Sequence, residues 1–191
     1  MPEHSLVRAF MELNYKLEEQ DYLQLYMYAA SKNQVIKQQR QRVLWLLIII
    51  YIVCSLLMFS MSMVSLFVFI AAAITVTLIY IYYYERKRYE KFYLKNIRTN
   101  LKNRIGVNYK TVFGPHDVIV TEPNAEAKFK YPNIELVEEI NAHYFFKMKT
   151  GERFIVPKSA VQNPQEFNQV INRLSQDYNI QLEQELNWKW R

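Results

Sequence analysis

Few residues in this chain could do chemistry, and their spacing argues against a reaction. The three histidines, His4, His116 and His143, are scattered and share no metal-ligand spacing. The only cysteine, Cys54, lies in an apolar run, where a thiol nucleophile working in water is not expected and no intrachain disulfide is possible. It reads as a small apolar side chain facing lipid or a neighbouring helix. Three glycines are too few for a phosphate-cradling loop. Glu138 and Glu139 are adjacent on an expected strand, so they point to opposite faces and do not pair as acid and base. Asp117, after Pro115-His116, reads as a turn residue. Pro157-Lys158 could hold an anion, although a strand-ending proline beside a solvated lysine accounts for it. The expectation is a non-enzymatic protein with no catalytic, cofactor-binding or metal-binding residues.

The elements around these residues point to a membrane. Of 191 residues, 51% are hydrophobic, yet mean hydropathy is only −0.18, so the apolar residues must be concentrated. From Val43 to Tyr84 there is no Lys, Arg, Asp, Glu, His, Gly or Pro. As one helix this block would be roughly 63 Å long, about twice the hydrocarbon thickness. It therefore reads as a transmembrane hairpin over 43–84, with spans Val43–Met61 and Val64–Tyr84 and a turn near Ser60–Met63. The block begins too far along the chain, and after too many charges, to be a signal peptide. It contains no ionisable group of the kind that marks an ion route. Ala71, Ala72 and Ala73 offer a close-packing surface, so the hairpin reads as an anchor and a possible oligomer interface.

The flanks set the orientation. Lys32, Lys37, Arg40 and Arg42 precede the block, and nine basic residues from Arg86 to Lys110 follow it against Glu85 and Glu90. These flanks sum to +11 against a formal net charge of +6, so the rest of the chain carries −5 and is acidic. Both flanks should be cytoplasmic, with the short turn outside. Arg40, Arg42, Trp45, Tyr82, Tyr83, Tyr84, Arg86, Lys87 and Arg88 are the expected membrane-interface residues. The same placement explains the pI of 9.2 without nucleic-acid binding.

Outside the hairpin, Leu13–Leu17 alternates as a short strand and should need a partner from beyond the hairpin. Residues 18–42 read as a helix running toward the membrane. Residues 85–105 read as a basic helical stalk ended by Gly106, with one apolar stripe through Tyr89, Phe92 or Tyr93, Ile97, Leu101 and Ile105. That stripe would pack on the preceding helix or a second copy, or lie in the headgroup plane. Between 106 and 180, short runs rich in Val, Ile, Phe and Tyr alternate with turn residues, which predicts an antiparallel sheet or small barrel. Asn163-Pro164 opens a last helix with apolar Phe167, Val170, Ile171 and Leu174. The tail, 181–191, with Trp188 and Trp190, reads either as a frayed extension of that helix or as an interfacial segment.

The order of these pieces resembles the YcxB-like family of bacterial membrane proteins. The resemblance is carried by the Tyr15–Tyr22 strand and acidic helix start, the two-span hairpin, the aromatic strand His143-Tyr144-Phe145-Phe146, and Ile155-Val156-Pro157-Lys158 after the last strand. Val156, Pro157 and Lys158 are the family motif; Ser159-Ala160-Val161 departs from the aromatic more usual near that point. The likeness extends to about Tyr178, leaving the tail outside it. It implies a pleckstrin-homology-like (PH-like) bent antiparallel sheet capped by a C-terminal helix, in an α+β domain at the bacterial inner membrane with both termini cytoplasmic. The family has no established enzymatic activity. The resulting expectation is a membrane-anchored binding module for a protein partner, with the bilayer as its other contact. A hairpin-driven structural or channel-forming oligomer and an immunity protein against a membrane-acting toxin are the alternatives.

Overall fold

The computed structural model describes residues 11–59 and 62–190. The elements in order are β1 (Met11–Lys16), α1 (Glu19–Lys32), α2 (Gln34–Phe59), α3 (Met63–Ile79), a π-helical turn (Tyr80–Tyr84) and α4 (Glu85–Asn100). There follow β2 (Asn108–Phe113), β3 (Asp117–Glu122), β4 (Ala125–Lys130), β5 (Ile134–Ile140), β6 (His143–Met148), β7 (Arg153–Pro157), α5 (Pro164–Tyr178) and β8 (Gln181–Glu185). They form two compact units. One comprises residues up to Leu25 and Ile97–Trp188; the other comprises Tyr26–Asn96 and the chain from Lys189.

The first unit is α+β. Its strands form two four-stranded sheets, β1-β2-β3-β4 and β7-β6-β5-β8. The expected α+β unit with a C-terminal helix is present, its strands divided between two sheets, one of them mixed. β1 pairs antiparallel with β2, Leu13 facing Thr111 and Tyr15 facing Tyr109, although both long apolar helices separate the two strands in sequence. The tail also departs from expectation: Gln181–Glu185 is neither frayed helix nor free segment, but β8, parallel to β5. Its polar side chains leave no alternation to read. What fixes it is the left-handed Asn179 (φ 53°) that ends α5, followed by buried Ile180.

Alternation places Tyr109, Thr111, Phe113, Val118 and Val120 on the inner face of the first sheet. At one end of that face Phe113 packs against Phe146 and Phe167, each with ring centroids 5.7 Å away. Phe167 also meets the ring of Tyr144 at 4.8 Å, so α5 contacts both sheets. The helix begins as its residues require: Asn163 accepts the N–H of Glu166, Pro164 takes the first helical position, and Phe167, Val170, Ile171 and Leu174 are buried.

Two helical stretches are long and apolar enough to cross a membrane, Gln34–Phe59 in the second unit and Met63–Asn100, of which the second unit holds the part up to Asn96. Several boundaries differ from expectation. The break before the first stretch falls at Asn33, whose side chain accepts the N–H groups of Val35 and Ile36, so basic Lys37–Arg42 and the apolar residues share one helix. Of the expected turn, Ser60 and Met61 lie outside the described residues; Ser62 caps α3 by accepting the N–H of Ser65. α4 ends at Asn100, before a short 3-10 turn, and Gly106 (φ +72°) serves the loop to β2. α2 and α3 meet antiparallel. Met58 O accepts from Ser65 Oγ, the Tyr51 ring packs edge-on against Phe69, and the Tyr51 hydroxyl lies 3.2 Å from Thr77 Oγ1. The stalk stripe uses Tyr93, which stacks on Tyr26 of α1 at 5.7 Å, while Phe92 stays exposed.

Phe113 is completely buried between aromatic neighbours. Phe113→Ala should therefore lower the unfolding free energy of its unit by about 3–5 kcal/mol, whereas exposed Lys149→Ala should stay within about 0.5 kcal/mol. Thermal or denaturant unfolding of the two variants checks this.

Candidate functional site

The inner face of the first sheet is filled at the α5 end and left open at the other. There the row Leu13, Thr111, Val120, Ala127 gives way to Tyr15 facing Tyr109 and to Glu122 facing Ala125. Alanine at position 127 cannot fill the space a larger residue would occupy. The result is a cavity of about 420 Å³. Val120, Ala127, Phe129, Phe154 and Ile155 form its apolar walls, with Leu17 and Leu25 on the side of α1. Tyr15, Tyr22, Tyr109, Arg104, Glu122, Glu152 and Arg153 surround them.

The polar groups of this cavity are largely satisfied by one another. The Tyr15 and Tyr109 rings stack at 5.8 Å. The Tyr22 and Tyr109 hydroxyls lie 2.8 Å apart, and the Tyr15 hydroxyl donates to the Ile155 carbonyl while lying 2.8 Å from Thr111 Oγ1. Burial pushes the hydroxyl pKa of all three tyrosines upward, so they are neutral near pH 7. Arg104 pairs with Glu122 at 3.2 Å, and Arg153 with the fully buried Glu138 at 3.1 Å. Such a cavity offers an apolar socket with aromatic walls and a charge-neutral rim, which suits recognition of a largely apolar group.

Two features lie beside it in the same unit. His143, buried on β6, donates from Nε2 to Asp21 Oδ1 at 2.6 Å; its Nδ1 is buried without a hydrogen-bond partner among the described residues. Burial works to raise the Asp21 pKa, but the bond from His143, the backbone N–H of Glu18 and the nearby imidazole charge outweigh it and hold the carboxyl below its ordinary value. The motif residues belong to the frame: Val156 and Pro157 are buried, and Lys158 is not a free solvated cation. Its Nζ donates to Glu139 Oε1 at 2.6 Å and sits 5.1 Å from the Tyr144 ring centroid. Glu138 and Glu139 bind different cations, Arg153 and Lys158, as neighbours on opposite faces of a strand must.

In the second unit the sequence-derived interface residues divide. Arg42, Trp45, Tyr82, Tyr83, Tyr84, Arg86, Lys87 and Arg88 are exposed. Lys87 reaches the Tyr83 hydroxyl at 2.6 Å, Arg86 pairs with Glu90, and Tyr84 stacks on Tyr80. Arg40 is different. It clamps buried Glu85 through two bonds, Nε to Oε1 at 2.7 Å and Nη2 to Oε2 at 2.9 Å, and its guanidinium lies 5.2 Å from the Trp190 ring centroid. Trp190 in turn packs on Tyr89 at 4.9 Å. The π-helical turn makes this alignment possible. Phe69 and Thr77 contact α2, and a regular helix of about 3.6 residues per turn would carry Glu85 well off that face two turns later. One inserted residue returns Glu85, and with it Tyr89 and Tyr93, to the packed side.

Sequence reasoning missed the tyrosine network, the Arg104–Glu122, Arg153–Glu138 and His143–Asp21 pairs, and the place of Trp190. Tyr22 and Tyr109 are 87 positions apart, and nothing local signals their meeting. The Arg40–Glu85 clamp did have a signal: the two residues bracket the uncharged block, and folding that block in half brings its ends together.

Residues 113–172, from the end of β2 into α5, match the family model described as YcxB-like protein. That confirms, over this stretch, the resemblance read from the sequence. No curated protein and no solved structure matches.

Two outcomes are expected. Asp21 has a depressed folded pKa, so its contribution to stability is complete above its unfolded value near 3.8 and is lost as pH falls through the lower folded value. Asp21→Asn should remove that acid limb from a plot of melting temperature against pH. Arg40→Ala, which strands a buried carboxylate, should destabilise by about 3–5 kcal/mol, while the double replacement Arg40→Met with Glu85→Leu should be close to neutral; unfolding in detergent compares the two.

Proposed function

We propose that the protein is a non-enzymatic binding module, held by an α2–α3 hairpin in the bacterial inner membrane, whose sheet unit engages a protein partner at the cytoplasmic face. The observation that carries the reading is the uncovered apolar surface of the hairpin: neither α2 nor α3 has a single buried residue among those described. Leaving that many large apolar side chains in water would cost about 1.5–3 kcal/mol each relative to burial. Only a hydrocarbon phase or other proteins can cover them, and the span lengths suit a bilayer. The basic flanks favour a cytoplasmic location for the sheet unit.

Two four-stranded sheets with one helix packed at an end support the PH-like reading of that unit. Among the described residues no group of three His, Cys, Asp or Glu is placed to hold a metal ion, and the cavity carries mutually paired hydroxyls and ions rather than an activated nucleophile. A chain anchored by two spans gains nothing from binding lipid in order to reach the membrane. The cavity is therefore assigned to a protein partner, with an apolar side chain as the group that enters it.

The test combines extraction and capture. The full chain should stay with the membranes in an alkaline carbonate wash. In-cell cross-linking, mild-detergent purification and mass spectrometry should recover a stoichiometric second protein. Leu25→Trp, which fills the cavity from the α1 side, should lose that protein without changing membrane retention. Extraction by carbonate, or recovery of the chain only with itself, would overturn the reading.

A further inference from the structure

The edge of the first sheet carries an inference independent of that partner. β4 stands at the end of its sheet order and, among the described residues, pairs only with β3. Its residues Ala125, Glu126, Ala127, Lys128 and Lys130 are all exposed, and Phe129 is half-buried. An uncovered six-residue edge is a template for another strand, because alternate N–H and C=O groups face away from β3. The order of side chains along it selects the strand that fits.

We propose that β4 pairs antiparallel with β4 of a second copy of this chain about a two-fold axis through Ala127, joining the two four-stranded sheets into one of eight strands. In that register Glu126 lies opposite the partner's Lys128, and Lys128 opposite the partner's Glu126. Two opposite-charge pairs thus form on the outer face, where Lys128 already meets Asp117 at 3.1 Å. On the inner face Ala125 lies opposite the partner's Phe129, a small side chain against a large one, while the two Ala127 residues meet at the axis. The contact is isologous, each residue pair occurring twice.

Neighbouring registers match less well. Moving the axis to Lys128 keeps Glu126 opposite the partner's Lys130 but sets lysine against lysine on the axis itself; moving it to Glu126 sets glutamate against glutamate and leaves Lys128 opposite Asn124; a one-residue slip exchanges the inner and outer faces. β8, an edge of the other sheet, fails the same test, since its charged residues, Glu183 and Glu185, are both acidic and no pairing with itself brings opposite charges together. The pairing also bears on the cavity. Ala127 and Phe129 form its wall on the β4 side, so the dimer seam would run along that wall.

The test uses the full chain in the cells that make it, with Cys54→Ala as background. Residues directly opposite at a non-hydrogen-bonded position have Cα atoms about 4.5 Å apart, within disulfide reach, whereas residues displaced by two positions lie at roughly 8 Å, beyond it. Ala127→Cys should therefore give a covalent dimer on mild oxidation, and Lys128→Cys should not. Glu126→Lys and Lys128→Glu each turn both attractive pairs repulsive, and either, added to Ala127→Cys, should cut dimer yield roughly tenfold or more. Co-expressing these two charge variants under different tags should restore the yield, entirely as heterodimer. Equal cross-linking from positions 127 and 128, none from 127, or no restoration in the mixture would overturn the proposal and leave the edge free or paired with a foreign strand.

Discussion

Two helices whose side chains no described part of the protein buries impose the main constraint on this structure. α2 and α3 touch along Tyr51, Phe69 and Thr77 and near Met58 and Ser65, and elsewhere present Ile, Val, Leu and Phe outward. Such a pair is stable only if something apolar surrounds it, and any charge at its ends must then be paired or reach water. The chain meets that demand with Arg40 and Glu85, one at each end of the uncharged block. The π-helical turn supplies the rotation that lets them meet. Trp190 and Tyr89 cover the pair from the side. A buried ion pair of this kind is weak as a source of stability but strong as a register pin, because any other alignment strands a charge.

The same constraint shapes the sheet unit. β1 lies before the hairpin and β2 after it, and they pair over six residues. The sheet therefore cannot be completed until both long helices have been made and folded back. Tyr15 on β1 and Tyr109 on β2 stack across that pairing, and Tyr22 at the start of α1 joins them through its hydroxyl. The residues that border the cavity are thus the ones that report whether the two halves of the unit have closed. A binding site built there exists only in the assembled chain.

What could be read from the sequence was what local pattern encodes. The apolar block, the N-cap and apolar face of α5, and the strands Ile134–Ile140 and His143–Met148 follow from composition and period alone. The family likeness rested on short motifs and holds over residues 113–172. What was not legible depends on distant partners. β8 has a polar sequence and becomes a strand only because α5 delivers it to β5. The break at Asn33 depends on a side-chain cap inside an otherwise helical run. Lys158 looked solvated because the Glu139 that binds it lies on another strand. On β4 the cavity is recorded in sequence only as Ala127, where strand residues are usually larger.

The central claim, that α2 and α3 cross a membrane with the sheet unit inside, is tested most directly by cysteine labelling in intact protoplasts. Ser62→Cys, at the hairpin tip, and Asp177→Cys, exposed on α5, would be compared in a Cys54→Ala background using a membrane-impermeant maleimide. The account predicts that position 62 labels from outside and position 177 only after lysis. Equal labelling of both positions in intact protoplasts, or labelling of 177 with protection of 62, would contradict it.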